Sequence, residues 1–246
     1  MRRLLLNSSA RFRFFLGHPG YTFRSLVREL TWADERFLST VTNCPASVIR
    51  GFLEEPFDDI LFSKYLRQTS ELVGQAAVST ADLYAKKTLI LYAAARALKP
   101  QIVVETGVAN GVSSSYLLLA IQKNGTGHLH SIEVGDSSVI LKGQPPGWLV
   151  PKVLQAHWTL HIGLSESILP GLLKGLPALN LFVHDSLHTY EHMMLEFELA
   201  FPYLKAGGLL LADDAMWNSA FLDFARKREA PRAEIIRGVG ILQKRS

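Results

Sequence analysis

Acidic residues close four short apolar runs in this sequence: Glu105 after IVV, Glu133 after HLHSI, Asp185 after NLFVH, and the pair Asp213 and Asp214 after LLLA. A carboxylate at the end of a strand can cap a helix, accept hydrogen bonds from a ligand hydroxyl, or coordinate a hard cation. Glu105 opens the stretch ETGVANG, where Gly107 and Gly111 permit a tight turn and close approach of a ligand. The helix that follows offers free N–H groups near Ser113 and Ser114. Glu133 ends the next apolar run, the position at which nucleotide-binding folds set an acid against ribose hydroxyls.

Spacing separates two classes of cofactor. A dinucleotide site favours GxGxxG, so that pyrophosphate lies against the backbone and a helix N-terminus. Here an acid precedes the first glycine and three residues separate the two glycines. A carboxylate there repels pyrophosphate and suits a cationic ligand. An oxidoreductase using NAD(P) is therefore the disfavoured alternative, and a non-catalytic binding module on the same fold is another.

The second constellation is VHDSLHTYEH together with LADDA. Three carboxylates at one mouth repel one another unless a proton or cation compensates, and hard oxygen donors suit Mg2+ or a similar divalent ion. Taken singly, each residue has a plainer reading: Asp185 as a helix cap, and His184, His188 and His192 as core or surface histidines. Trp217 and Asn218 read equally as acceptor-pocket lining or as packing and a cap. The apolar face of TYEHMMLEFELAFPYL reads as core, leaving Tyr190 and His192 as minor candidates.

The elements that must position these residues follow from periodicity. Residues 20–98 carry apolar positions at three- and four-residue spacings and read as helical, punctuated at Asn43-Cys44-Pro45 and at Glu55-Pro56. From residue 99 the pattern alternates. Strands are predicted at 101–105, in GHLHSIEV, HWTLHIG, ALNLFVHDS and GLLLADDA, and in a closing pair, AEIIRGV and GILQKRS. Helices are predicted at 112–123, in SESILPGLLKGL, in TYEHMMLEFELAFPYLKAGG with a glycine stop, and through NSAFLDFARKRE. The Gly- and Pro-containing loop 134–150 reads as a lid. This alternation implies an α/β protein with a doubly wound, mostly parallel sheet at 99–246, preceded by a helical segment at 1–98 that covers the site, contacts the acceptor or forms a homo-oligomer interface.

The ETGVANG turn with a second acid closing strand two resembles the class I S-adenosylmethionine-dependent methyltransferases, whose first motif is (D/E)xGxxxG. The resemblance covers residues 100–246 and implies a seven-stranded Rossmann-like methyltransferase fold. It carries cofactor contacts onto Glu105, Thr106, Gly107, Asn110, Gly111, Ser113 and Glu133, with Glu105 near the methionine end and Glu133 on the ribose. The family's adenine-contacting acid or amide after strand three is replaced by Leu164, with Ser165 or a backbone group as the substitute. DSLH after strand four and the acid pair after strand five resemble the metal-dependent O-methyltransferases and the cephalosporin-hydroxylase-like group. That match assigns Asp185, Asp213 and Asp214 as ligands of Mg2+ or a similar ion, His188 as general base, and a small-molecule hydroxyl as acceptor.

Composition excludes other classes. A net charge of +4 over 246 residues, with much of the excess near the two ends, leaves no central basic block for nucleic acid. Cys44 is the single cysteine, so no intrachain disulfide or CxxC pair exists and a cytoplasmic setting is the simpler reading. No run of 18 apolar residues suggests a membrane span. MRRLLLNSSARFRFFLG is basic and acid-free, which reads as a basic arm, with an organelle-targeting segment as the alternative.

Overall fold

The computed structural model describes residues 33–75, 86–135 and 140–245. The basic arm lies outside the described residues. Four helices come first: α1 (Ala33–Thr42), α2 (Ala46–Asp58), α3 (Ile60–Gln75) and α4 (Lys86–Leu98). Then β1 (Ile102–Thr106), α5 (Val112–Asn124), β2 (His128–Glu133), β3 (Trp158–Ile162), α6 (Ser165–Gly175), β4 (Leu179–His184), α7 (Tyr190–Ala200), β5 (Leu204–Ala212), α8 (Ala220–Lys227), β6 (Ala233–Ile236) and β7 (Val239–Gln243) follow.

The seven strands form one sheet in the order β3-β2-β1-β4-β5-β7-β6. Strands β1 to β5 are parallel and β7 pairs antiparallel with both β5 and β6, as the predicted closing pair requires. Strand order reverses between β1 and β4, so Glu105, Glu133, Asp185 and Asp213 all reach the carboxyl edge around that switch. This is the edge at which open α/β sheets bind ligands.

Side chains alternate across the sheet with the two-residue period of strands. Val103, Leu181, Val183, Leu209, Leu211 and Ile241 face a layer that contains α1 to α5. Val104, Phe182, Leu210 and Leu242 face α6, α7 and α8. The front helices therefore share one core with the sheet: Leu38, Ile49 and Leu66 pack in the same cluster as Tyr116 and Leu117 of α5.

Two sequence-based boundaries move. Pro56 lies inside α2, which continues to Asp58 and breaks at the extended Asp59, rather than at Glu55-Pro56. A proline near the end of a helix removes one backbone hydrogen bond without ending the turn. Asp59 then starts α3 by accepting Phe62 N–H at 2.8 Å. Helix α7 ends at Ala200, short of the predicted glycines, and a 3-10 turn, Phe201–Tyr203, leads into β5. Pro202 lacks the N–H needed to continue an α-helix, so the glycines fall within β5 instead.

Candidate active site

The glycine turn after β1 is built from inside. Glu105 is fully buried and its carboxylate accepts the hydroxyls of Ser113 at 2.7 Å, Ser114 at 2.6 Å and Ser131 at 2.7 Å. Burial raises its pKa against the pull of those three donors. Glu105 thus ties β1, α5 and β2 together beneath the turn. Gly107 and Gly111 both have positive φ, 82° and 94°. A Cβ on Gly107 would lie 2.1 Å from the carbonyl oxygen of Asp185, so the turn is pressed against the end of β4.

Glu133 has two roles open to it. Its Oε2 accepts the N–H groups of Val108 and Ala109 at 2.8 and 2.7 Å, and its Oε1 accepts Val134 N–H at 2.9 Å. A carboxylate has about four lone-pair positions, so acceptor capacity remains for a hydroxyl. The turn amides that a pyrophosphate would need are already donated to an acid, which argues against a dinucleotide. Val134, Ile162 and Leu164 stand exposed at the ends of β2 and β3, with Ile162 in register with Glu133. An exposed apolar rim next to a hydroxyl acceptor fits an adenosine. Leu164 forms the N-cap position of α6 without a side-chain bond, and Ser165 Oγ lies 3.2 Å from His192 Nε2.

Asn110 does something the sequence does not reveal. Its side-chain oxygen accepts Leu141 N–H at 3.0 Å and Trp148 Nε1–H at 2.8 Å, and its carbonyl accepts Leu149 N–H. Gly147 N–H donates to Ala109 O at 2.9 Å. The described part of the predicted lid is therefore fastened to the glycine turn. Residues 136–139 of that loop lie outside the described residues.

At the ends of β4 and β5 the structure brings Asp185, His188 and Asp213 together, with one ligand atom of each within 4.8 Å of the others. Asp214 is outside this group and adopts a positive φ of 46°. Asp213 is 3 % exposed, and Lys87 near the start of α4 donates to its Oδ2 at 2.6 Å. The other oxygen, Oδ1, is buried with no hydrogen-bond partner, as is His188 Nε2, which lies 3.7 Å from Asp185 Oδ1. Two orphaned donor atoms and a carboxylate facing one another fit a divalent cation.

The electrostatics agree. Burial and the neighbouring Asp213 push the Asp185 carboxyl up. Burial works to raise Asp213 too, but the Lys87 ammonium outweighs it and holds that carboxyl below its usual range. Burial opposes the charge on Lys87, yet Asp213, Asp185 and Asp214 together raise its pKa. Burial, then the adjacent His184, depress His188 to about 4, so its imidazole is neutral at pH 7.

Beneath this lies Glu196, fully buried on α7. It accepts Thr106 Oγ1–H at 2.6 Å and Ser186 Oγ–H at 2.9 Å, and pairs with His184 Nδ1 at 2.6 Å and His192 Nε2 at 3.0 Å. Burial would raise its pKa, but the His184 and His192 bonds lower it well below the carboxylate range. Thr106 is thus engaged below the turn. The His184 ring meets His188 edge-on at 5.3 Å, and His188 leans on Trp217 at 5.5 Å. Asn218 holds the segment by donating to the His188 carbonyl at 3.2 Å.

Lys87 and Glu196 were not predicted from sequence. Glu196 had a signal: it lies on the stripe of Met193, Phe197 and Ala200, all buried, where a charge needs a partner. Lys87 had none, because a lysine at a helix start reads as solvated.

Residues 104–215 match a family model described as a methyltransferase domain. Among solved structures, the chain is similar to a Klebsiella pneumoniae protein classed as an O-methyltransferase, with 17 % identity over 74 % of this chain and 90 % of that one, TM-score 0.56. An O-methyltransferase from Bacillus cereus in complex with S-adenosylhomocysteine is 12 % identical over 80 % of this chain and all of that one, TM-score 0.54. CalS11, a TDP-rhamnose 3'-O-methyltransferase, is 17 % identical over 75 % and 95 %, TM-score 0.54. No curated protein matches the chain. Among the described residues no helix is long and apolar enough to cross a membrane.

Proposed function

We propose, from the match of residues 104–215 to a methyltransferase-domain model and the fold shared with O-methyltransferases, that the chain moves the methyl group of S-adenosylmethionine to a hydroxyl of a small molecule, at the carboxylate cluster. The observation that carries the acceptor chemistry is the pair of orphaned buried atoms, His188 Nε2 and Asp213 Oδ1, beside Asp185.

The cofactor would lie across the ends of β1 and β2. Glu133 accepts its ribose hydroxyls, and Val134, Ile162 and Leu164 supply the apolar surface for adenine. Gly107, Gly111 and the turn backbone set how closely it approaches. Glu105, whose carboxylate is held by three serines, fixes the shape of that turn from below. Thr106, Asn110 and Ser113 act in the same supporting way.

Asp185 and Asp213 would hold Mg2+ or a similar ion, with Asp214 contributing charge and His188 beside them left free to accept a proton. A divalent ion held there would supply Lewis acidity that lowers the pKa of an acceptor hydroxyl, as it does for water. The neutral imidazole of His188 takes the hydroxyl proton on Nε2. The oxygen then forms a bond to the methyl carbon as the carbon–sulfur bond breaks. The products are a methyl ether, S-adenosylhomocysteine and a proton on His188. Trp217, Leu187 and Tyr190, all exposed on this side, suit an apolar or ring-bearing acceptor. Positioning the two reactants in line supplies much of the rate enhancement, so a rigid site matters more than strong bases.

The test is titration of S-adenosylmethionine into the purified protein, followed by transfer of a labelled methyl group to phenolic and sugar hydroxyls with Mg2+ and with chelator. Cofactor binding with metal-dependent labelling is expected. Failure of the folded protein to bind the sulfonium cofactor would overturn the reading.

A further inference from the structure

Glu196 carries a buried charge that takes no part in the steps above. It lies on the face of α7 that also buries Met193, Phe197 and Ala200, and a buried ion pair adds little to stability once its lost hydration is counted. What Glu196 contributes is geometry. Its two oxygens take four partners: Thr106 Oγ1–H and His184 Nδ1 meet Oε2, each at 2.6 Å, while Ser186 Oγ–H at 2.9 Å and His192 Nε2 at 3.0 Å meet Oε1.

Three of these partners belong to the two candidate ligand sites. Thr106 is the last residue of β1 and immediately precedes Gly107 of the glycine turn. His184 is the last residue of β4, and His184 and Ser186 flank Asp185 of the carboxylate cluster. Thr106 and His184 lie in register across the switch between β1 and β4, so one carboxylate oxygen clamps both strand ends. The backbone repeats the link, since Asp185 N–H donates to Thr106 O at 2.8 Å and a Cβ on Gly107 would strike the Asp185 carbonyl oxygen. Thr106, His184 and Glu196 are all fully buried, so a donor pulled from the carboxylate finds no water in its place. The turn and the segment around Asp185 therefore share one frame.

We propose that Glu196 is a positioning residue that couples the methyl-donor site to the cation site, so that each ligand binds more tightly when the other is present. The inference rests on the reading that the glycine turn takes the cofactor and that Asp185 and Asp213 take a divalent ion. A cation held by Asp185 fixes the segment that Ser186 and His184 tie to Glu196, and Glu196 fixes Thr106 at the root of the turn. Whichever ligand binds first orders that frame, and the second meets it already set. Coupling of this kind is reciprocal, so it can be read from either ligand. A chain built this way grips its methyl donor best when the ion that activates the acceptor is in place.

The experiment is calorimetric titration of S-adenosylhomocysteine into the full chain, with Mg2+ and with EDTA. The thioether of this probe is neutral, so repulsion between a sulfonium and Mg2+ does not mask the coupling. In the unaltered protein Mg2+ should tighten binding by roughly fivefold or more, the usual scale of coupling between sites. Glu196→Gln should bring that ratio towards one. Thr106→Val, which cuts only the arm to the turn and leaves Glu196 its histidines, should do the same even where Glu196→Gln fails to fold, and Thr106→Ser, which keeps the hydroxyl, should keep the ratio. A purely structural role would lower the number of folded sites and leave the ratio as it was. A ratio at or below one in the unaltered protein, or one that Thr106→Val leaves in place, would overturn the inference while the cofactor reading stands. Failure of the folded chain to bind the probe at all would overturn both.

Discussion

The ammonium of Lys87 sits 2.6 Å from Asp213 Oδ2, so a residue of the helical front reaches over and neutralises the carboxylate cluster of the sheet. The lysine side chain is 27 % exposed and the aspartate 4 %. Replacing Lys87 with Met would leave a buried carboxylate without its counter-charge, at a cost of about 3 kcal/mol. Because ammonium and divalent ion compensate the same carboxylates, Mg2+ should raise the melting temperature of Lys87→Met more than that of the unaltered chain. Thermal unfolding with Mg2+ and with EDTA checks this; equal shifts in the two proteins would separate Lys87 from the cation.

Glu133 joins the cofactor candidate surface to the glycine turn. Glu133→Gln keeps the shape but removes the charge that holds the Val108 and Ala109 amides and a ribose. Hydrogen bonds to a charged group are each worth about 1.5–3 kcal/mol, so a loss of roughly tenfold or more in S-adenosylmethionine affinity is expected. Calorimetry measures it directly, and an unchanged affinity would displace the ribose from this residue.

His188 should separate chemistry from binding. His188→Ala is expected to lower kcat by roughly 10²- to 10⁴-fold while cofactor affinity holds, the signature of a lost proton acceptor. Its depressed pKa of about 4 also predicts a rate that does not fall on the acid side until well below pH 6.5.

The same depression has a consequence for stability. Between pH 6.5 and about 4 an unfolded histidine binds a proton that His188 and His130 in the folded chain refuse. Stability is therefore full above pH 6.5 and declines as pH falls through that window. Denaturant unfolding in EDTA at stepped pH should show the decline, and a His130→Asn variant should show less of it.

Glu105 depends on its serines. Ser114→Ala removes the 2.6 Å donor to a carboxylate with no access to water, and a loss of about 1–3 kcal/mol is expected. Because the serine is fully buried beneath the turn, the unfolding midpoint should move much more than the turnover of the folded enzyme.

The strands, their order of appearance and the strand-end acids were legible in the sequence, because apolar runs ending in Glu105, Glu133, Asp185 and Asp213 leave few ways to fold. Their partners were less legible. Nothing local marks Asn110 as the anchor of a loop some 31 to 38 residues away, or joins Lys87 to an aspartate 126 residues later. Those contacts are set by how layers stack, whereas periodicity reports only which face of an element is buried. The separation of Asp214 from Asp185, His188 and Asp213 was equally hidden, since two adjacent acids look equivalent until a backbone at φ 46° turns one aside.

Gly111 and Gly147 meet back to back: a Cβ on Gly111 would come 2.9 Å from the Cα of Gly147, and one on Gly147 would strike the Trp158 ring at 2.4 Å. The turn, the 140–150 segment and the root of β3 consequently behave as a single casting rather than as interchangeable parts. A designer who regrafts that segment to admit a different acceptor will find the grip on the methyl donor changing with it, and selectivity and cofactor affinity in this chain will have to be tuned together.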